Sequence, residues 1–203
     1  MFTSAGHIFR LVRAGRVLAR HQALLPREEF GDLPPAVRAA LTVLSLGRRQ
    51  KGVEAPLATA LTELGPSYIK LGQFFATRAD IIGVEWANKL SELQDRLEPF
   101  DDNAARAEVE ARLGAPIDSL FSDFGPPVAA ASIAQVHRAR TREADGTARE
   151  VAVKVLRPGI ERRFPEDLDS FLFAARLIER WQPPSRRVRP VDAVATLARS
   201  VKL

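Results

Sequence analysis

The chain has 203 residues, with 30 lysines and arginines against 25 acidic residues, no cysteine and three histidines. The lack of cysteine excludes disulfides, iron–sulfur clusters and cysteine-ligated zinc, and the scattered histidines lack the spacing of a histidine metal site. A formal net charge of +5 and an isoelectric point near 10.2 favour an anionic partner, such as lipid headgroups, nucleotide phosphates or nucleic acid.

The N-terminal segment, residues 1–52, is predicted to hold basic amphipathic helices and a linker. Within residues 4–22, apolar residues recur every three or four positions and arginines fill the other side, which predicts an amphipathic helix. This pattern suits attachment to an anionic membrane surface, and it suits equally a surface helix packed on its own core. A linker is predicted at 26–35 and a short apolar helix at 36–46. The apolar residues of the first helix are Ile8, Leu11, Val12, Leu18 and Ala19, and its basic residues are Arg10, Arg13, Arg16 and Arg20.

Residues 53–124 are predicted to form a wholly helical extension. Ser67 is expected to cap the second helix of this segment, Asp101 or Asp102 the fourth, and Gly114 to end the fourth. The predicted helices span 56–64, 67–76, 84–97, 103–113 and 116–121. The first of them is expected to bury Leu57, Ala60, Leu61 and Leu64.

The pattern changes from helix to strand in the last segment, residues 125–203. Strands are predicted at 128–132, 134–140 and 150–156, with a turn at Asp145-Gly146 between the second and third. Helices are expected at 165–181 and from 191 to the end. The fold class is therefore α+β, with a helical N-terminal extension packed on a small antiparallel sheet.

The third predicted strand contains the string Val-Ala-Val-Lys154, and its alternation places Lys154 and the valines on opposite faces of a sheet. This string is typical of the third strand of protein kinases, in which the lysine contacts the α- and β-phosphates of ATP. A strand lysine that faces only water would give the same string.

An alanine-rich segment, Ala129–His137, precedes this strand, where a kinase carries its glycine-rich phosphate loop. It contains no glycine. Alanine still allows backbone N–H groups to approach a phosphate, although it restricts positive φ angles. Close packing between strands is the alternative explanation for the alanines.

A polar pair, Lys70 and Gln73, lies within an apolar helical stretch. Spacing of i and i+3 places both side chains on one helix face, and Gly72 between them would let another backbone come close. A polar helix edge facing solvent is the alternative explanation.

Taken together, these motifs resemble the UbiB family of atypical kinase-like proteins of ubiquinone biosynthesis. The motifs lie in family order over residues 57–199. The matching segments are Leu64–Gln73, Thr77–Asp80, Leu93–Asp95, Ala129–His137 and Val151–Pro158.

The resemblance implies a partial protein-kinase-like N-lobe at 125–203, with the extension at 53–124 folded over an ATP site. Lys154 would hold the α- and β-phosphates. The alanine-rich segment would cover the nucleotide and favour ATPase-like behaviour over protein phosphorylation. The implied nucleotide-binding residues are Lys154, Ala130, Ala131, Ser132, Ala134, Gln135, Lys70 and Gln73.

The resemblance also implies a role in polyprenyl-quinone synthesis, peripherally at the cytoplasmic side of the inner membrane. Other ubiquinone-biosynthesis proteins would be partners, and nucleic acid would not. An older family name, 2-polyprenylphenol 6-hydroxylase, reflects this pathway, but the sequence offers no flavin, haem or iron motif for hydroxylation.

Family members continue into an ExD motif and a C-terminal lobe that supplies the catalytic groups and the ligands of magnesium. This sequence reaches Leu203 before any ExD motif. We therefore expect a fragment that binds ATP but is inactive alone, with no catalytic or metal-ligating residue of its own. The alternative is a non-catalytic basic helical adaptor that binds membrane or nucleic acid. A P-loop or Rossmann protein is excluded, because neither glycine motif is present.

Overall fold

The structure, a computed structural model, describes residues 4–21, 23, 56–91, 93, 98–142, 146–181 and 189–201. The predicted linker at 26–35 and helix at 36–46 lie outside the described residues, as does Asp145 of the predicted turn. Among the residues described, no helix combines the length and apolar character needed to cross a bilayer.

The described residues form nine helices and one three-stranded sheet, which confirms the predicted α+β class. The helices are α1 (Ser4–Arg20), α2 (Pro56–Leu64), α3 (Pro66–Ala76), α4 (Ala79–Ile82), α5 (Val84–Ser91), α6 (Asp102–Leu113), α7 (Ile117–Leu120), α8 (Ile160–Trp181) and α9 (Pro190–Ser200). The strands are β1 (Asp123–Ala130), β2 (Ala134–Arg142) and β3 (Ala148–Leu156).

The chain divides into two compact units: the first comprises Met1–Leu93 and Arg162–Lys202, and the second Gln94–Glu161. The predicted boundaries at residues 52/53 and 124/125 divide the chain by motif, and that division stays a prediction.

The first unit is an assembly of helices around a core that includes Leu61, Leu64 and Ile69. Helix α1 joins this unit through ion pairs as well as apolar contacts. Arg10 binds Glu166 and Asp167 of α8, and Arg20 binds Glu63 of α2. The predicted buried stripe on α2 is confirmed at Ala60, Leu61 and Leu64, but Leu57 is only half-buried and Ala58 is buried as well.

Two predicted helix starts are wrong. Helix α3 begins at Pro66 after Gly65, whose φ of 107° suits glycine, so Ser67 lies inside the first turn and does not cap it. Helix α8 begins at Ile160 and not near Pro165. Pro165 therefore lies inside α8, where it lacks the N–H that would donate to the carbonyl of Glu161, and the helix continues through it. The predicted helix at 84–97 is described only as α5.

The second unit packs α6 and α7 against one face of the antiparallel sheet, whose order is β1-β2-β3. The predicted cap of α6 is confirmed, because a side-chain oxygen of Asp101 accepts a hydrogen bond from the N–H of Ala104 at 2.9 Å. Gly114 ends this helix with a left-handed φ of 72°, also as predicted. The core consists of Ala105, Val109, Ile117, Phe124, Ala139 and Val155.

Strand β1 starts at Asp123, five residues before the predicted start at Val128. It contains Pro126 and Pro127, and its pairing with β2 is irregular on both sides of Pro127. An edge strand tolerates proline because half of its N–H groups have no strand partner, which explains why this segment forms a strand despite its composition.

Candidate functional site

Lys154 lies on the face of the sheet opposite the packed core of the second unit. It pairs with Val136 across the ladder, whereas its neighbour Val155 pairs with Gln135. Val155 is buried and Lys154 is exposed. The prediction that Lys154 and the valines occupy opposite faces is therefore confirmed.

The turn between β1 and β2 consists of Ala131, Ser132 and Ile133, and we call these three residues the loop tip. On the strands beside it, Ala130 pairs with Gln135, and Ala134 begins β2 as a buried residue. The N–H of Ala131 donates to the carbonyl of Ala134 at 2.8 Å and closes the turn. Among the described residues, the N–H groups of Ser132 and Ile133 donate no hydrogen bond.

Arg157, which directly follows β3, holds the loop tip at two carbonyls. Its backbone N–H donates to Ile133 at 2.9 Å, and its guanidinium donates to Ala131 through Nε and Nη2, both at 3.3 Å. Nη2 also donates to the carbonyl of Glu98 at 2.8 Å, and the guanidinium lies 5.4 Å from the ring centroid of Phe100. Burial lowers the pKa of Arg157.

Sequence reasoning missed Arg157, because an arginine after a strand is ordinary. Its contacts also join residues that are far apart in the sequence, since Ala131 is 26 residues away and Glu98 is 59. The one available signal was its place between the lysine strand and the Pro158-Gly159 turn.

A chain of hydrogen bonds lies buried under the alanine-rich segment. The N–H of Phe100 donates to Oε1 of Gln135 at 2.9 Å, Nε2 of Gln135 lies 2.8 Å from Nε2 of His137, and Nδ1 of His137 lies 2.9 Å from the carbonyl of Gly125. The geometry requires a neutral His137 with its proton on Nδ1, because the amide nitrogen of Gln135 can only donate. The imidazole also stacks on Phe124, with 4.6 Å between ring centroids.

Gln135, predicted from the resemblance to bind nucleotide, therefore uses both ends of its side-chain amide inside the second unit. Ser132 is buried as well, with 3% of its surface exposed. These placements leave backbone groups, and not the Gln135 amide, as the groups that the segment offers to a ligand. The nucleotide-binding roles assigned to these residues stay predictions.

Lys70, Gly72 and Gln73 lie on α3 in the first unit, where Lys70 and Gln73 are half-exposed and Gly72 is buried. A Cβ atom at Gly72 would lie 2.3 Å from Cδ1 of Leu93 and 2.8 Å from Cδ1 of Leu61. Leucine side chains, and not the backbone that we expected, therefore approach this glycine. Lys154 belongs to the second unit, and the nucleotide-binding roles that the resemblance implies for Lys70 and Gln73 stay predictions.

The Thr77–Asp80 segment forms a compact ion pair in the first unit. Arg78 donates through Nε and Nη2 to the two carboxylate oxygens of Asp80, both at 2.8 Å, and this guanidinium lowers the pKa of Asp80. In the part of the chain that the structure describes, no cluster of three or more metal-ligating side chains is found. The Leu93–Asp95 motif is described only at Leu93.

Comparison with known proteins finds a family match over more than half of the chain. The model of the ABC1 atypical kinase-like domain matches residues 92–203. No solved structure matches the chain.

Individual relatives are named "Probable protein kinase UbiB". The protein from Xanthomonas euvesicatoria is 43% identical over 201 residues, which is 94% of this chain and 35% of the relative. The protein from Shewanella denitrificans is 42% identical over 172 residues, 84% of this chain and 31% of the relative. The protein from Shewanella baltica is 47% identical over 139 residues, 68% of this chain and 25% of the relative. The chain thus spans between a quarter and about a third of the length of these relatives.

Proposed function

Because the chain belongs to the ABC1 atypical kinase-like family, we propose that its second unit binds the phosphates of ATP. It would do so as the N-terminal part of a UbiB-type kinase-like ATPase that supports ubiquinone biosynthesis. The observation that carries the proposal is the position of Lys154 relative to the loop tip. Lys154 lies two residues before Leu156, which pairs with Ala134, the first residue after the tip. At about 3.3 Å per residue, the backbone of Lys154 is about 7 Å along the strand from the end of the tip.

The distribution of charges on the open face of the sheet also favours phosphate binding at the end that carries Lys154 and the loop tip. Glu150 is the acidic residue of β3, and it is bound by Arg138 at 2.6 Å and by Arg140 at 3.1 Å. The two arginines therefore compensate the negative charge of Glu150, which leaves Lys154 without an acidic neighbour on β3. At the other end, the ammonium of Lys154 suits phosphate oxygens, as do the N–H groups of Ser132 and Ile133, which have no acceptor among the described residues. Ala152 lies between these ends and Val136 lies opposite Lys154, and both offer small apolar side chains to a nucleotide base.

ATP would bring magnesium, which supplies charge neutralisation across the β- and γ-phosphates when bound. Phosphoryl transfer also needs groups that hold the metal and orient the nucleophile, and the family plan assigns these to a C-terminal lobe. We therefore propose binding without turnover for residues 1–203. Lys70 and Gln73 are proposed to contribute to nucleotide binding from α3.

Equilibrium titration of a fluorescent ATP analogue with magnesium tests this proposal. We expect Lys154→Ala to weaken binding at least tenfold, because an ammonium contact to phosphate is lost. Lys89→Ala is the matched control, since it removes one lysine charge from an exposed site on α5. Smaller losses are expected for Lys70→Ala and Gln73→Ala. Equal affinities for the wild type, Lys154→Ala and Lys89→Ala would overturn the proposal.

A second proposed interaction, with an anionic membrane surface, is favoured by the exposed face of α1. Phe9 is 72% exposed and Ile8 50%. Arg13 and Arg16 are exposed on the same side and form no ion pair with any described residue. Ile8 and Val12 of the predicted apolar side are exposed and not packed against the core, and Arg10 and Arg20 are engaged in ion pairs within the first unit.

Exposed aromatic and aliphatic side chains, beside guanidinium groups that form no ion pair within the described part of the chain, favour a lipid surface over nucleic acid. Such contact would hold the protein peripherally at the cytoplasmic face of the inner membrane, near other ubiquinone-biosynthesis proteins. Co-sedimentation with vesicles of phosphatidylglycerol and phosphatidylcholine tests it. Binding should fall with salt, and also in Phe9→Ser and in Arg13→Gln/Arg16→Gln, but not in the matched surface pair Arg138→Gln/Arg140→Gln. Binding that survives all of these changes would contradict it.

A further inference from the structure

We infer that Arg157 is a positioning residue that fixes the loop tip in one conformation, so that the tip is a preformed edge of the binding site and not a flap that closes over its ligand. The identity of this ligand, ATP, rests on the proposed function. The fixation itself rests only on contacts within the second unit.

One residue holds the tip on both sides of Ser132. The carbonyl of Ile133 accepts from the backbone N–H of Arg157 at 2.9 Å, and the carbonyl of Ala131 accepts from its guanidinium at 3.3 Å. With these two carbonyls engaged, the Ala131–Ser132 and Ile133–Ala134 peptide groups cannot rotate without breaking a hydrogen bond.

The guanidinium is itself anchored to the segment Glu98–Phe100. Nη2 donates to the carbonyl of Glu98 at 2.8 Å, and the Phe100 ring lies against the guanidinium. The N–H of Phe100 in turn donates to Gln135, on the strand that leaves the tip. The tip is thus tied to the same short segment from both of its ends, through Arg157 and through Gln135.

This arrangement needs the fork of an arginine. Guanidinium presents several donors in one plane and here reaches two backbone carbonyls while its face lies on a ring. A lysine ammonium is a compact, strongly hydrated charge and does not reproduce that geometry. Arg157→Lys therefore keeps the charge and removes the fork.

A tip held in this way has a consequence for binding. Its two engaged carbonyls are directed to Arg157, and the N–H groups of Ser132 and Ile133 stay without an internal acceptor among the described residues. A ligand that uses these donors has no loop to order, which favours affinity through preorganisation. We expect the alanines to add to this rigidity, since they lack the wide φ range of glycine.

Amide hydrogen exchange without nucleotide tests the inference. The reporters are the amides of Ala131 and of residue 157, because each donates a hydrogen bond across or onto the tip. We expect both to exchange at least tenfold faster in Arg157→Lys, with unchanged rates in α6. Arg138→Lys, an exposed arginine of the same sheet, is the control and should leave all these rates unchanged. Phe100→Leu keeps the guanidinium but removes the ring, and a smaller increase at the same amides is expected.

Addition of the ATP analogue gives a second readout that a merely structural residue would not change. Nucleotide should slow exchange at Ala131 more in Arg157→Lys than in the wild type, whose tip is already ordered. Wild-type rates in both Arg157→Lys and Phe100→Leu would overturn the inference, as would an equal acceleration throughout α6. Because the first measurement uses no nucleotide, its failure is distinct from failure of the Lys154→Ala titration.

Discussion

The side-chain nitrogen of Gln135 lies 2.8 Å from Nε2 of His137, two residues further along β2, and neither side chain has any exposed surface. Alternate residues of a strand share a face, so both side chains point into the core of the second unit. A polar pair at such a site is stable only when every group is bonded, and here the N–H of Phe100 and the carbonyl of Gly125 complete the chain.

The first prediction follows from that chain. Gln135→Leu leaves the N–H of Phe100 and Nε2 of His137 buried without partners, and each unsatisfied buried group costs about 1–3 kcal/mol. We expect the free energy of unfolding in urea to fall by about 2 kcal/mol or more. Arg138→Leu, at the exposed neighbouring position, should change it by less than about 0.5 kcal/mol. Similar values for the two variants would show that the buried chain does not stabilise the unit.

The sequence predicted interactions between residues that are close together in the chain. Asp101 at the start of α6 and Gly114 at its end act on residues within one helical turn, and both were predicted. The face of Lys154 was predicted too, because alternation along a strand is local. The prediction that Ser67 caps α3 was wrong, because the helix already begins at Pro66 after Gly65.

Contacts between distant residues could not be predicted in the same way. Phe100 and Gln135 are 35 residues apart, and Arg157 and Glu98 are 59 apart. The residue types alone do not distinguish these pairs from other possible pairs, since the chain contains many arginines and many backbone carbonyls. The sequence therefore indicated the strand and the loop of the candidate site, but not the contacts that support them.

The second prediction concerns the glycine of the Lys70–Gln73 motif. Gly72→Ala places a Cβ 2.3 Å from Cδ1 of Leu93 and 2.8 Å from Cδ1 of Leu61, so both leucine side chains must move. Such overpacking costs about 1–3 kcal/mol, which exceeds the gain of about 1 kcal/mol in helix propensity. The free energy of unfolding should fall. Gly6→Ala is the control, because a Cβ at Gly6 meets nothing within 4 Å and should stabilise α1. The prediction fails if both alanines stabilise the protein.

The third prediction uses Arg189, which precedes α9 with φ 46° and ψ 61°. Among the described residues it is the one non-glycine residue with positive φ. This left-handed conformation costs a residue with a Cβ about 1 kcal/mol, which glycine does not incur. Arg189→Gly should therefore have a higher urea midpoint than Arg189→Ala, since both lose the exposed guanidinium but only alanine keeps the Cβ. Equal midpoints would mean that no strain is relieved.

The last prediction concerns Tyr68, which is the only tyrosine of the chain. It lies in the first turn of α3 with 8% of its surface exposed, and its ring meets that of Phe171 edge-on at 4.9 Å between centroids. Burial, with a further contribution from the carboxylate of Asp167, raises the pKa of Tyr68 to about 12. In an unfolded chain the phenol titrates near 10.

The sign of the pH dependence follows from these two values. Below pH 10 the phenol is protonated in both states, so its contribution to stability is fully present. Between pH 10 and 12 the unfolded chain loses this proton first, and stability falls as pH rises. A difference of two pKa units corresponds to roughly 3 kcal/mol.

Two measurements check this. Because no other tyrosine is present, the tyrosinate absorbance of the native protein titrates Tyr68 alone, and its midpoint should lie well above 10. Tyr68→Phe keeps the ring but carries no proton, so its free energy of unfolding should decline less steeply from pH 9 to pH 12 than that of the wild type. A native midpoint near 10, or parallel declines for the two proteins, would show that the hydroxyl of Tyr68 is not buried in the folded state.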